Sequence, residues 1–219
     1  ARPMVGREWL PPDDIYLVRS LDDRFAPLTS NDSAWGVAGV TIDATGFDAV
    51  GTRSIPLRAL LPDQQARGLE LRWSPGGAPG AWRLEGLPAP ASGAVTGLHL
   101  ALANGALESE SAAVLDLQVE LTTADGITVS LPLSRWGALP PPLTVRLAKD
   151  DFLAGLSGMD LAQGAPVERV LQGYDIPFAD FAALDSRFDP GRVVAAGLVV
   201  NRSEAGSLWL ADVGQLVER

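Results

Sequence analysis

Between Leu115 and Leu133 apolar and polar residues alternate strictly, and a four-residue turn divides the run. Leu115, Leu117, Val119 and Leu121 alternate with Asp116, Gln118, Glu120 and Thr122. After Thr123-Ala124-Asp125-Gly126 come Ile127, Val129, Leu131 and Leu133. A period of two puts every apolar side chain on one face of an extended chain, and a helix of 3.6 residues per turn would scatter them. The segment predicts an antiparallel hairpin with one face buried and the other wet. Elsewhere helical periodicity is nearly absent. Short apolar or alternating runs are broken by Gly, Pro, Asn and Asp, and 23 Gly and 17 Pro in 219 residues supply the turns. The implied fold class is all-β, an antiparallel β-sandwich.

Further strands are expected at 15–19, 37–43, 69–73, 81–85, 95–103, 143–147, 167–176, 193–201 and 207–213. Short helical turns are expected at 150–156 and 179–184. Residues 88–93, rich in Pro, Ala and Gly, read as a linker or long loop. They divide the chain into residues 1–90, a smaller β unit or additional strands, and residues 93–219, a larger sandwich. A second break at 137–142 holds three consecutive prolines, which have no place in a central strand. One internal echo appears. Ile55-Pro56-Leu57, Gly68-Leu69-Glu70-Leu71 and Trp82-Arg83-Leu84 are matched by Ile176-Pro177-Phe178, Gly197-Leu198-Val199-Val200 and Trp209-Leu210-Ala211. It reads either as two β units in tandem or as the recurrence of similar strand-turn-strand segments.

A formal net charge of −10 and a pI near 4.5 repel phosphate backbones, and the 17 basic residues are scattered singly, which excludes nucleic acid as an expected partner. No apolar run approaches the ~20 residues a membrane helix needs. The chain has no cysteine, hence no disulfide and no thiolate metal site. Its opening residues carry no signal-peptide core and read as mid-protein sequence.

The C-terminal stretch carries the most specific pattern. Tyr174-Asp175-Ile176-Pro177-Phe178 leads through Phe188-Asp189-Pro190-Gly191-Arg192-Val193 and an apolar strand to Leu208-Trp209-Leu210-Ala211-Asp212-Val213. This resembles the closing strands of galactose-binding-domain-like jelly rolls, a fold shared by many carbohydrate-binding modules. The resemblance is strongest over the last 45 or so residues. It implies a jelly-roll-like β-sandwich, an extracellular or cell-envelope location in a bacterium, and a structural Ca²⁺ with Asp212 as a ligand. The neighbouring acidic position of the family pattern is Ala211 here, and a solvated strand-end carboxylate is the alternative reading of Asp212.

The residues offer little catalytic chemistry. His99 is the single histidine and cannot build a zinc site by itself, and no Gly-x-Ser-x-Gly elbow accompanies it. Asp116 and Glu120 lie ~13 Å apart by strand rise, beyond the spacing of a glycosidase pair. Gln118, between them, is placed with either carboxylate to bond sugar hydroxyls, with a solvated sheet face as the alternative reading. No glycine-rich phosphate loop opens a helix.

Pyranose faces stack on exposed aromatic rings. Trp82 and Trp209 occupy strand positions and are expected in the core. Trp136, beside Arg135 at the end of the hairpin strand, is expected to point outward, and Trp35 and Trp9 are flanked by loops. The expected ligand-binding set is therefore Trp136, Arg135, Trp35 and Gln118, with packing between strands as the alternative for each tryptophan. Two functions fit. One is a non-catalytic accessory module of an exported protein that binds polysaccharide or glycan through an aromatic-bearing sheet face or loop. The other is a structural or interaction domain without a small ligand, docked on a linked catalytic domain.

Overall fold

The computed structural model describes residues 25–28, 39–55, 66–76, 78–88, 94–106, 113–144 and 167–218. Within them the strands are β1 (Phe25–Pro27), β2 (Thr41–Thr45), β3 (Ala49–Ile55), β4 (Ala66–Trp73), β5 (Gly80–Glu85), β6 (Ala94–Asn104), β7 (Gln118–Thr123), β8 (Thr128–Pro132), β9 (Leu143–Thr144), β10 (Val167–Glu168), β11 (Gln172–Pro177), β12 (Val193–Val200) and β13 (Gly206–Glu218). One short helix, α1 (Phe178–Ala182), follows β11. The expected strand at 15–19, the helical turn at 150–156, and Trp9 and Trp35 lie outside the described residues.

The alternating hairpin forms as its pattern requires. Leu117, Val119, Leu121, Val129 and Leu131 are buried, while Gln118, Glu120 and Ser130 are half-exposed on the other face. Its turn is closed by Thr123 N–H to Ile127 O at 2.9 Å and by the Thr123 hydroxyl to Asp125 Oδ1 at 2.5 Å. Gly126 sits at φ +81°, and a Cβ added there would meet nothing within 4 Å. Gly126→Ala is therefore expected to cost about 1–2 kcal/mol from backbone strain alone. Urea unfolding would show this as a lower midpoint at unchanged slope.

The strands form two antiparallel sheets, β11-β6-β13-β4-β3 and β2-β5-β12-β7-β8, with β9-β10 a separate short ladder. Consecutive strands cross between the sheets (β4 to β5, β5 to β6, β11 to β12, β12 to β13), so the chain is an all-β antiparallel sandwich. β13 is the longest strand. One of its edges follows β6, and the other is shared by β4 at residues 206–210 and β1 at residues 214–216. Between the sheets lies the core. Leu71, Trp82, Leu84, Leu100, Leu102, Leu117, Leu121, Ile176, Phe178, Phe181, Leu208 and Leu210 are at most 1% exposed, and each such side chain contributes roughly 1.5–3 kcal/mol on burial. The two echoed segments lie side by side. β4 pairs with β13, placing Leu69 opposite Leu210, and β5 pairs with β12, placing Trp82 opposite Leu198.

Several elements depart from the expectation. The strand at 207–213 runs on to Glu218, because its pairing with β6 continues past a bulge at Ala211. The strand at 167–176 is broken at 169–171. β3 has little apolar alternation and forms through seven pairs with β4. Trp209 is buried, but not in the core between the sheets. Leu208 and Leu210 take the inward positions of β13, so Trp209 faces the opposite side, where it clusters with Ala101, Ala103 and Ala211. The Arg169 guanidinium lies 4.5 Å over its ring. A Cβ at Gly105 would sit 2.8 Å from Trp209 Cδ1, so only glycine fits against the indole edge. β6 and β13 thus have both faces buried along much of their length, unlike the hairpin.

Candidate binding cleft

At one end of the sandwich β3 starts, β4 and β6 stop, and residues 201–205 carry the chain from β12 into β13. These ends enclose a cleft of about 720 Å³. Trp73 closes β4 and faces inward, with Phe47 edge-on at 6.3 Å. Its Nε1–H donates to the Ser203 carbonyl at 3.0 Å and so pins the 201–205 turn. Ser203 also exchanges bonds with the Asp116 backbone, accepting from its N–H at 3.1 Å and donating to its carbonyl at 3.0 Å. On the opposite wall, buried Asn104 donates to the Ala113 carbonyl at 3.0 Å and accepts from the Ala106 N–H at 3.1 Å. The walls are thus held by side chains whose own partners are fixed.

Asp116 ties this end together. Its carboxylate accepts from the Leu117 N–H (3.0 Å), the Ser134 N–H (3.2 Å), the Ser134 hydroxyl (3.1 Å) and Arg202 Nε (2.5 Å). Partial burial pushes its pKa up, but the bonds from Arg202 and Ser134 outweigh that and hold it below the usual carboxylate range. It does not present its carboxylate on a sheet face with Gln118, as alternation suggested, because β7 begins only at Gln118 and the carboxylate turns onto Arg202 and Ser134.

Around the cleft, Arg72 Nε bonds Glu70 at 2.8 Å, and Asp48 and Glu204 are exposed with no ion pair among the described residues. Trp73, Val114, Leu115 and several alanines complete the lining. Polar and apolar groups thus line the cleft together.

The sequence-predicted residues among the described ones lie elsewhere. The strand ends at Pro132, and a 3₁₀ turn (Leu133–Arg135) swings Arg135 into solvent. Trp136 is half-buried rather than outward-pointing. It stacks on Phe181 at 5.8 Å and donates to Asp180 Oδ2 at 2.8 Å, and Arg135 reaches Asp180 Oδ1 at 3.3 Å. These bonds hold the Asp180 pKa low. Arg135 and Trp136 thus meet at one carboxylate, on the flank of α1. Gln118 stands on the open face of the second sheet, its Oε1 accepting from Ser130 Oγ and Asn201 Nδ2 at 3.0 Å each. It shares that face with Glu120, which bonds Arg83 at 3.4 Å, and through Asn201 it touches the start of the cleft's turn. Asp212 lies next to the β13 bulge on the other sheet, opposite Ala101. Calcium takes six to eight oxygens, and no group of three or more acidic or histidine side chains that could hold a metal occurs among the described residues. His99 Nδ1 lies 2.6 Å from Asp175 Oδ1 on the same sheet.

Sequence reasoning missed Arg72, Trp73, Asn104, Arg202 and Glu204. The polar run Asn201-Arg202-Ser203-Glu204 between two apolar strands, and Trp73-Ser74-Pro75-Gly76 leaving a strand, were the available signals.

The strands define an antiparallel β-sandwich with a cleft at one end. No family model matches the chain, and no curated protein does. Solved structures similar to it include carbohydrate-binding modules. One is a family 11 module from Clostridium thermocellum in complex with a β-1,3-1,4-mixed-linked tetrasaccharide, with 9% identity, 88% of this chain and 95% of that one covered, and a TM-score of 0.48. Another is the family 30 module of a cellulosomal cellulase of Clostridium thermocellum, with 13% identity, coverage of 88% and 93%, and a TM-score of 0.45. A family 29 module variant complexed with mannohexaose gives 10%, 87%, 89% and 0.45 in the same order. The likeness concerns the all-β architecture alone. Among the described residues no helix is long and apolar enough to cross a membrane.

Proposed function

We propose that the chain is a non-catalytic glycan-binding module of an exported bacterial protein, acting outside the cell or in its envelope as part of a larger protein, and that the end cleft is its binding site. One observation carries this. The cleft sets the exposed side chain of Val114, backed by the buried Trp73 and Leu115, among Arg72, Asp48, Arg202 and Glu204 on pinned walls. Sugars are recognised in this way, apolar surface meeting C–H faces while planar polar groups fix the hydroxyls. The fixed walls lower the ordering cost of binding a flexible oligosaccharide. The non-catalytic reading is supported by the state of the most interior carboxylates near the cleft, since Asp116 and Glu70 are each committed to an arginine.

The test is affinity electrophoresis of the purified chain through gels containing soluble glycans, with pull-down on insoluble ones. At least one glycan should retard the chain. Ala205→Trp, which fills the cleft from an exposed position, should abolish retention at an unchanged unfolding midpoint. Arg135→Ala should leave it intact. Loss with Arg135→Ala would move the site to the Trp136–Asp180 corner, and no retention on any glycan would end the reading.

A further inference from the structure

The geometry points to charge selection in the end cleft: it takes glycans without acidic groups and turns away those bearing carboxylates. This rests on the glycan-binding reading and adds the class of ligand to it. Among the described residues, four charged side chains line the cleft, Arg72, Arg202, Asp48 and Glu204. Neither arginine adds net positive charge to the cleft, because each is neutralised by a carboxylate. Arg72 Nε is held by the buried Glu70 at 2.8 Å, and Arg202 Nε by Asp116 at 2.5 Å. Asp48 and Glu204 have no ion-pair partner among the described residues. Counted with their partners, two guanidiniums face four carboxylates, in a chain of net charge −10.

An incoming uronate would give up water beside Asp48 and Glu204 with no unneutralised cation among the described residues to receive it, and juxtaposed like charges are a strong means of rejecting a partner. A neutral sugar meets no such cost. Each guanidinium has five N–H donors, so the hydrogens not used by its carboxylate serve hydroxyl oxygens, while Asp48 and Glu204 accept from hydroxyl hydrogens. Salt screens exposed charges over about 8–10 Å at moderate ionic strength, so the discrimination should fade as salt is raised.

The experiment compares retention of the purified chain by neutral β-glucans and mannans with retention by a polyuronate, at low and at high salt. A neutral glycan should be bound, with the polyuronate at least about tenfold weaker at low salt and the gap narrower at high salt. The Asp48→Lys/Glu204→Lys double variant, checked for intact fold by circular dichroism, should gain polyuronate binding. Polyuronate retained as strongly as the neutral glycan by the unaltered chain would overturn charge selection and leave the glycan reading standing. No gain in the folded double variant would overturn it equally. Retention of neither polymer would end the glycan reading, and the selection with it.

Discussion

Replacing Trp82 with alanine is expected to lower stability by about 3–5 kcal/mol, the range for removing a large buried aromatic. Trp82 is 0% exposed and among the largest fully buried side chains of the core. It lies in β5 between β2 and β12, opposite Ala44 on one side and Leu198 on the other. A cavity there is bounded by paired strands on both sides, which cannot collapse into it without breaking ladder bonds, so the upper half of the range applies. Domains have net stabilities of roughly 5–15 kcal/mol, so the variant should sit close to its folding threshold, with a melting temperature lower by on the order of ten degrees. Calorimetry or urea unfolding measures this directly. A loss under about 1 kcal/mol would mean that the indole is not enclosed between the two sheets.

Asp116→Ala is expected to cost about 2–3 kcal/mol, because it strips acceptors from two backbone N–H groups, the Ser134 hydroxyl and Arg202 at once. The same change should weaken glycan retention, since the turn bearing Arg202 and Glu204 loses one of its anchors. Asp116 also sets part of the acid sensitivity. Its folded pKa lies below the ordinary 3.8, so the folded state binds the proton less readily than the unfolded chain does. The contribution is complete above 3.8 and is lost as pH falls through the lowered folded value. Asp116→Asn should therefore show its full stability deficit at neutral pH, and the gap to the unaltered chain should close below pH 3.8. A gap that stays constant down the acid limb would show that the carboxylate is not stabilised by its neighbours. Asp185, held near 2 by the side-chain and backbone bonds from Arg187, titrates in the same direction.

The all-β class and the 115–133 hairpin were legible from local pattern. Alternation at a period of two needs no knowledge of what lies across the sheet, and Gly126 marks its turn whatever the tertiary context. The limits of β5, β6 and β12 were legible within a residue or two for the same reason, as was the break at 137–142, where three prolines remove ladder donors. Tertiary structure decided the rest. That Trp209 lies away from the core is a consequence of Leu208 and Leu210 claiming the inward positions once β13 sits between β4 and β6. Trp136 turned onto Phe181 because the strand gave way to a 3₁₀ turn, placing Asp180 within reach of its indole nitrogen. The cleft is the clearest case. Trp73 and Ser203 are 130 residues apart and meet only through the β4–β13 register, and Arg202 finds Asp116 across 86 residues. Local sequence carries the period of a strand, but which strands become neighbours is set by the burial of their combined faces, and this site is built from the strand ends that this pairing brings together.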